Sequence, residues 1–275
     1  MKATFHIGQT EYTADLTKPL DISIPLSPDG PRAWYVDRMI IRSVVDDGFV
    51  GSVAEGGSVN FRNIMFNPHG HGTHTESYEH VADVSRPIGQ LLKKYFFSAQ
   101  VISITPEQRN EAEDFSAVGD LIITVEQLRD KINTNSVPEA LVIRTLPNVN
   151  SKLNANYSDS NFCYLKEDAL AYLAEIGVQH LLVDLPSVDR EHDGGKLAGH
   201  KAFWKNGDAS RYDCTISEFV FVKNEIEDGL YLLEMQIAPF VNDAAPSRPV
   251  LYSVISDSEF LIPDSEIRNS KQVWQ

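Results

Sequence analysis

Alternation of apolar and polar residues runs through the first eighty positions and indicates β-strands. Segments 4–7 and 12–16 alternate on either side of a Gly-Gln turn, which predicts a hairpin. Segments 39–45 and 49–53 flank the sequence Asp-Asp-Gly, a turn typical of a second hairpin. Another short strand is predicted within 18–26, so this half of the chain is expected to be rich in strands.

Helical periodicity appears in three later segments. The first predicted helix covers 88–97, and the second begins at a capping-box sequence at Thr124 and runs to residue 131. The third covers 165–176 and should end at Gly177, because glycine favours the left-handed conformation of a helix end. Strands are predicted between and after these helices, at 99–104, 140–145, 180–185, 215–222, 229–240 and 248–255.

The succession of elements predicts a mixed α/β fold. Strands dominate the first part, and two α/β units follow at 124–145 and 165–185. Loops beyond the carboxyl ends of such strands often carry polar site residues. Since the chain has no internal repeat and no long linker, one domain over 1–275 is expected.

Composition narrows the range of partners. A net charge of −15 argues against nucleic-acid binding, which needs clustered Lys and Arg. No apolar run approaches the roughly 20 residues of a membrane span, and the N-terminus lacks the apolar region of a secretion signal. The two cysteines, Cys163 and Cys214, are far apart. A cytoplasmic protein with reduced thiols that acts on a small molecule is therefore expected.

One segment concentrates the candidate chemistry. Of 8 histidines, His69, His71, His74 and His80 fall within twelve residues that also contain Glu76. Isolated histidines usually lie in polar surface loops, but imidazoles clustered with a carboxylate indicate a site for a first-row divalent metal. The proline and glycines of the segment disfavour a helix, and in an extended chain His74, Glu76 and His80 share one face.

Two known types of metal site fit this segment incompletely. The pattern His69-x-His71 followed by Glu76 matches the H-x-H-x4-E core of a cupin, but the flanking glycines and the second cupin motif are missing. An amidohydrolase of the (β/α)8 type carries His-x-His on its first strand, but it needs βα units throughout. The strand-rich first part does not supply them.

A third pattern fits better. His69, Gly72-Thr73-His74-Thr75-Glu76 and His80 resemble the H-x-G-T-H-x-D-x-P-x-H motif of the cyclase family of metal-dependent hydrolases, which includes arylformamidases and isatin hydrolases. Shorter stretches in the family's order extend the resemblance over most of the chain: Asp21-Ile-Ser-Ile-Pro-Leu, Leu141-Val-Ile-Arg-Thr, Asp184-Leu-Pro-Ser-Val-Asp189, Leu197-Ala-Gly-His200 and Ile216-Ser-Glu218.

The resemblance implies a role for each of these residues. It implies a swivelling β/β/α fold, Zn or Mn with one or two ions per subunit, and a homodimer or homotetramer. Its first metal would be bound by His69, His74 and Glu76, and Glu76 would bridge to a second metal completed by His200 and Glu218. His80 would remain unligated as general acid/base. By residue type alone, His200 and Glu218 could equally be surface residues.

A substrate pocket is expected beside these residues. Five aromatic residues are candidates for its wall, although core packing is the commoner fate of such side chains. Trp34 is favoured because it follows a Pro/Gly turn that family members place near the site. The other four are Tyr35, Tyr78, Phe203 and Trp204.

The chain departs from the family pattern in three places. Glu76 replaces the usual Asp and is one methylene longer. His69 lies five positions before His74 where the family has four, so His71 remains an alternative first ligand. Ser77-Tyr78-Glu79 stands where Ala-Pro-x is common. These differences leave the metal, the ion count and the substrate open.

The predicted reaction is hydrolysis of an amide-type bond, in an N-formyl aryl amide or a cyclic amide, by direct attack of water. A metal lowers the pKa of a bound water to about 7, and a histidine such as His80 can carry its proton to the leaving nitrogen. The chain has no Gly-x-Ser-x-Gly elbow for a serine nucleophile. The alternatives are a non-catalytic relative that binds metal or a small acid, and a cupin-type oxidoreductase.

Overall fold

The computed structural model describes residues 1–112, 116–134 and 136–256. The fold is mixed α/β, as predicted. Its helices are α1 (Ile88–Leu91), α2 (Val125–Lys131), α3 (Glu167–Ile176) and α4 (Ala198–Phe203). Its strands, in chain order, are β1 (Lys2–Ile7), β2 (Thr10–Asp15), β3 (Leu20–Asp21), β4 (Ile40–Ser43), β5 (Val45–Asp46), β6 (Phe49–Val50), β7 (Arg62–Met65), β8 (His74–Glu76), β9 (Phe96–Ile104), β10 (Glu107–Gln108), β11 (Leu121–Ile123), β12 (Ala140–Thr145), β13 (Tyr164–Leu165), β14 (His180–Val183), β15 (Thr215–Glu218), β16 (Gly229–Ile237) and β17 (Ala244–Ser256).

Most of the strands belong to one sheet that closes on itself. Its order is β17-β16-β9-β12-β14-β15-β8, and β8 pairs back to β17. The strands β9, β12, β14 and β15 are parallel, whereas β8, β16 and β17 run antiparallel to their neighbours. The N-terminal hairpin β1–β2 extends the sheet beyond β17. Because the sheet is closed, β8 is hydrogen-bonded to β15 on one edge and to β17 on the other, which restrains the histidine-rich segment.

The core lies on both faces of the parallel strands. Leu141 and Ile143 of β12 pack in a cluster with residues of α2 and α3, among them Leu128 and Leu170. Val142 points to the opposite face and packs in a second cluster with residues of β9 and β16. A strand that is buried on both faces has a continuous apolar sequence, and this pattern is why a buried strand over 140–145 could be predicted.

Helix ends follow the local sequence signals. Thr124 accepts the N–H of Gln127, and the Gln127 side chain accepts the N–H of Thr124, so the predicted capping box is present. Gly177 ends α3 with a φ of 95°. The predicted helix over 88–97 was too long, because Phe96 and Phe97 lie in β9 and Phe97 packs in the core. The helix α4 was not predicted.

Three strand predictions in the first eighty residues have different outcomes. The predicted turn joins β5 to β6, with positive φ at Asp47 and Gly48 as a tight hairpin requires. The strand within 18–26 is reduced to β3, and β4 pairs with the unpredicted β7. Together β4 and β7 form a separate two-stranded ribbon.

None of the helices in the described residues has the length and apolar character to cross a bilayer.

Candidate metal centre

Pairing of β8 with β15 brings the first candidate ligands together. His74 and Glu76 point to one face of β8, and Glu218 lies directly opposite His74 in the ladder. Thr75 points to the other face, where its hydroxyl is 2.7 Å from that of Ser217. All of these side chains are buried. The alternation expected from the sequence therefore places His74 and Glu76 on one face, but the expectation fails for His80, which lies beyond the strand in a 3-10 turn.

Two imidazoles are fixed in a single orientation by acceptors behind them. Nδ1 of His74 is 2.9 Å from the carbonyl oxygen of Gly72, and Nδ1 of His200 is 2.6 Å from Oδ2 of Asp189. Because both partners only accept, each Nδ1 donates, and Nε2 is the nitrogen of each ring that faces the cluster. Nε2 of His74 is 3.4 Å from Oε2 of Glu218, and Nε2 of His200 is 3.0 Å from Oε1 of Glu76. A hydrogen-bond acceptor on the ring nitrogen that points away from the ion is typical of metal-binding histidines.

The buried polar atoms at the centre of this group fit a metal. Nε2 of His74, Nε2 of His200 and both carboxylate oxygens of Glu76 have no hydrogen-bond partner among the described residues. Buried acceptors are normally paired, so unpaired ones need an explanation. Ligand atoms of His69, His74 and Glu76 lie within 4.8 Å of one another, as do those of Glu76, His80 and His200. Glu76 belongs to both groups, and this combination of imidazole nitrogens with a carboxylate suits a first-row divalent cation.

His69 reaches the group from the preceding turn. Its Nδ1 is 3.2 Å from Oε2 of Glu76, and its Nε2 is 2.9 Å from Oδ2 of Asp243. Burial alone would lower the pKa of His69, but these two carboxylates raise it to about 10. A Cβ at Gly70 would lie 2.8 Å from Cγ2 of Val36, so position 70 has no room for a ring. His69 therefore contacts Glu76 although it lies five positions before His74.

His71 is not part of the cluster. Its Nδ1 accepts the N–H of Asn67 at 2.8 Å, and its Nε2 is 2.6 Å from the carbonyl oxygen of Asp37. Both ring nitrogens are thereby occupied by backbone groups. The alternative in which His71 replaces His69 as first ligand finds no support in this geometry.

His80 lies at the edge of the cluster. It belongs to a 3-10 turn over Tyr78–Val81 that follows β8. Its Nδ1 is 3.1 Å from Oδ2 of Asp243, and its Nε2 is 3.8 Å from Oε2 of Glu76. The ring remains partly exposed and borders a cavity, so it can meet a small molecule.

Opposite charges dominate the electrostatics. Burial by itself would raise the pKa of the Glu76 carboxyl, but His80 and His200 hold it well below its usual value. Burial would lower the pKa of His200, but Glu76 and Asp189 raise it well above the ordinary value. Burial opposes ionisation of Asp243 too, and hydrogen bonds from His69 and His80 lower its pKa. A cation entering the cluster must therefore displace protons from the imidazoles.

A cavity of about 340 Å³ opens on these residues. The rings of His69, His80 and His200 border it together with Glu218, and Trp34 and Leu197 add an apolar wall. Trp34 packs edge-on against Phe162, with ring centroids 6.0 Å apart. Phe203 and Trp204 are buried in the core instead, as their residue type favoured. Trp34 is thus the predicted aromatic residue that reaches the cavity.

Two residues in direct contact with the candidate ligands were not predicted. Asp189 accepts the backbone N–H groups of Gly199 and His200 as well as the His200 ring. The sequence did contain a signal for Asp189, because this residue ends the stretch 184–189 that resembles the family. Asp243 contacts both His69 and His80 but follows β16 in an ordinary turn sequence. Nothing near it in the sequence indicates a site.

Similar proteins match this chain over most of its length. Residues 15–190 match the model of the Cyclase family. Kynurenine formamidase of Bacillus mycoides (strain KBAB4) is 25% identical over 248 residues, which cover 88% of this chain and 98% of that protein. Isatin hydrolase A from Ralstonia solanacearum superposes with a TM-score of 0.59 at 16% identity, covering 86% of this chain and 91% of that one.

A protein from Bacillus stearothermophilus, described as a predicted metal-dependent hydrolase, superposes with a TM-score of 0.58 at 18% identity. That match covers 86% of this chain and 98% of the other. At these identities the solved structures show a shared fold, which is the cyclase fold that the resemblance implied. Since the family model spans 15–190 of 275 residues, this protein belongs to the Cyclase family.

Proposed function

We propose that the protein is a metal-dependent hydrolase that cleaves an amide-type bond, in an N-formyl aryl amide or a cyclic amide. The observation that carries the proposal is the set of unpaired buried ligand atoms around Glu76, next to a cavity with an aromatic wall. Relatives named kynurenine formamidase and isatin hydrolase support this class of substrate.

The ligands are assigned by their positions around Glu76. His69, His74 and Glu76 would hold one ion, and Glu76, His200 and Glu218 a second, so that Glu76 bridges them. Zn or Mn suits this mixture of imidazole and carboxylate donors, with one or two ions per subunit. When bound, the metal supplies Lewis acidity that acidifies the attacking water and polarises the substrate carbonyl.

His80 is proposed as general acid and base. Its Nδ1 faces Asp243, which leaves Nε2 directed toward Glu76 and the cavity. From there Nε2 can accept a proton from the attacking water and deliver it to the departing nitrogen. Neither step requires a covalent intermediate with the protein.

The cavity suits a small aromatic substrate. Its volume of about 340 Å³ lies at the lower end of the range of small-molecule sites. An aryl ring would pack against Trp34 and Leu197 and place its amide carbon above the cluster. These apolar side chains would also exclude competing water from the reacting bond.

Substitution of His80 tests the assignment. In His80→Ala the metal content, measured by elemental analysis, should stay unchanged, while kcat for an N-formyl aryl amide falls about 10²–10⁴-fold. His6→Ala removes an exposed histidine outside the cluster and serves as the matched control. Retained metal with undiminished hydrolysis in His80→Ala would defeat the proposed role of His80.

A non-catalytic binding role is the alternative, and the departures at Glu76 and His69 favour it. Stoichiometric metal with no turnover of formanilides, isatins or lactams would support it. A cupin-type oxidoreductase would instead consume oxygen with bound Fe(II). Nε2 of His200 lies 3.0 Å from Glu76 and 3.7 Å from Glu218, and a cupin site does not require this second pair of candidate ligands.

We also propose a homodimer or homotetramer in the cytoplasm. The ribbon of β4 and β7 exposes an aliphatic pair on each face: Ile41 with Ile64, and Ile40 with Met65. A two-stranded ribbon is only marginally stable in water, so burying either of its apolar faces against another surface would stabilise it. A second copy of the chain is the proposed cover.

A further inference from the structure

Asp243 is held beside the candidate metal centre by its backbone. It lies in the turn between β16 and β17, and its carbonyl oxygen accepts the N–H of Ser77 at 2.9 Å. The next residue, Ala244, pairs with Glu76 in the ladder between β17 and β8. On the other side, the carbonyl oxygen of Asn242 accepts the N–H of Ile88. Residue 243 is therefore fixed against the strand that carries Glu76.

One oxygen of this carboxylate serves two rings. Oδ2 of Asp243 is 2.9 Å from Nε2 of His69 and 3.1 Å from Nδ1 of His80. A carboxylate oxygen only accepts hydrogen bonds, so both of these nitrogens must carry protons. The two rings lie nearly parallel, with centroids 4.3 Å apart and an interplanar angle of 29°. A single acceptor thus constrains both rings at once.

The opposite nitrogen of each ring faces Glu76. Nδ1 of His69 is 3.2 Å and Nε2 of His80 is 3.8 Å from the same oxygen, Oε2. Rotating either ring by half a turn would break its contact with Asp243 and turn the other ring nitrogen away from Glu76. The orientation matters most for His69, because it approaches from a displaced position and residue 70 is packed against Val36.

We propose that Asp243 is a positioning residue of the site, which directs Nδ1 of His69 and Nε2 of His80 toward Glu76. The proposal rests on the function proposed above, in which His69 binds metal and His80 transfers protons. It assigns to Asp243 the part that outer hydrogen-bond acceptors take for metal-binding histidines in general. Asp243 therefore offsets the displacement of His69 along the chain.

The test compares Asp243→Asn, Asp243→Glu and Asn242→Ala. The asparagine keeps the shape of the side chain but replaces a charged acceptor with a neutral amide, whose oxygen accepts more weakly and whose NH2 group cannot accept at all. Asn242→Ala is the matched control, because Asn242 supports the same turn by donating to the carbonyl oxygen of Ala244 and contacts neither histidine. Each variant is measured for Zn²⁺ affinity with a competing chelator, for histidine tautomers by ¹⁵N NMR, and for kcat and KM.

We expect Asp243→Asn to lose about 10–100-fold in Zn²⁺ affinity and in kcat, with KM little changed and with an altered tautomer signal. Asp243→Glu should recover part of both losses, and Asn242→Ala should match the wild type. Equal Zn²⁺ affinity, tautomers and kcat in Asp243→Asn would overturn the proposal, as would equal losses in Asn242→Ala. If the wild type hydrolyses no substrate but Asp243→Asn still weakens Zn²⁺ binding and shifts the tautomers, the proposed function fails and the positioning role holds.

Discussion

At the scale of single residues, three positions that border the candidate site have a strained backbone. Trp34, Leu197 and Phe219 have φ of 60°, 48° and 55°, a region that costs a residue with a side chain about 1 kcal/mol or more. Thr73 stabilises the strained backbone at Phe219. Its hydroxyl donates to the carbonyl oxygen of Phe219 at 2.5 Å and accepts the N–H of Ile24 at 2.7 Å. The threonine of the motif therefore stabilises the chain just beyond Glu218.

Residue types pointed to His69, His74, Glu76 and His80 as candidates, whereas His200 and Glu218 were expected only from the resemblance to the family. His74 and Glu76 alternate along an extended segment, and this pattern is local. Asp243 is 163 residues from His80 and is brought to it only by the pairing of β17 with β8. Contacts of that kind depend on sheet closure, which no local pattern of residues encodes.

Replacing Trp34 tests the aromatic wall. Trp34→Ala should raise KM for an N-formyl aryl amide about 10-fold, because loss of an aromatic contact costs about 1.4 kcal/mol, and should change kcat little. Trp34→Phe should retain most of the affinity. Steady-state kinetics with melting temperatures for both variants provide the measurement. An unchanged KM in a folded Trp34→Ala would place the substrate elsewhere.

A buried histidine outside the cluster makes stability depend on pH. Burial, with Lys94 and Arg211 nearby, lowers the pKa of His180 to about 3, and its Nδ1 lies 2.9 Å from the Thr215 hydroxyl. The unfolded chain, with a pKa near 6.5, binds the proton first as pH falls, so stability is lost progressively below about pH 6.5.

His180→Gln should remove this part of the pH dependence. Between pH 6.5 and 5 the wild type should lose about 2 kcal/mol more of its free energy of unfolding than the variant, at about 1.4 kcal/mol per pH unit. Urea unfolding of the metal-free proteins at both pH values gives the comparison. Parallel losses in the two proteins would exclude His180 as the source.

At the scale of elements, local signals predicted some boundaries and failed at others. The capping box of α2 and the glycine that ends α3 depend on neighbouring residues, so the sequence was enough. In contrast, α1 stops at Leu91 because the following apolar residues pair in β9. The partner of β4 was missed since β7 lies some twenty residues away and exposes every side chain.

The ribbon of β4 and β7 provides a test of assembly. Ile64 is 57% exposed, and a charge at this position should weaken packing of a second copy without disturbing the core. Ile64→Asp is expected to shift the assembly toward monomer in analytical ultracentrifugation, while Val118→Asp, at a position 67% exposed, leaves it unchanged. The same assembly in both variants would locate the interface elsewhere.

At the scale of the whole molecule, the candidate centre joins segments that are distant in sequence. Its residues come from 69–80, from β15 and from α4, and Asp243 adds the turn that precedes β17. Binding a cation there would restrain all of these segments together. Metal binding should therefore contribute directly to the stability of the fold.

Removing the metal tests this contribution. Treatment with a chelator should lower the melting temperature by several degrees, since a ligand present at 100 times its Kd stabilises by about 2.7 kcal/mol. Adding back Zn²⁺ or Mn²⁺ should restore it, and His74→Ala should be insensitive to both treatments. A wild type that melts at one temperature with chelator and with added metal would show that this contribution is absent.

The hydrogen bonds of His71 have a consequence for how this chain can vary. One imidazole joins the carbonyl oxygen of Asp37 to the N–H of Asn67, so the two ends of a thirty-residue excursion meet at a single side chain. Closing a loop whose ends are already adjacent costs little more when its length changes. A change in the length of the segment between these residues should therefore add little loop-closure entropy, because His71 keeps its two ends together next to the strand that carries His74 and Glu76.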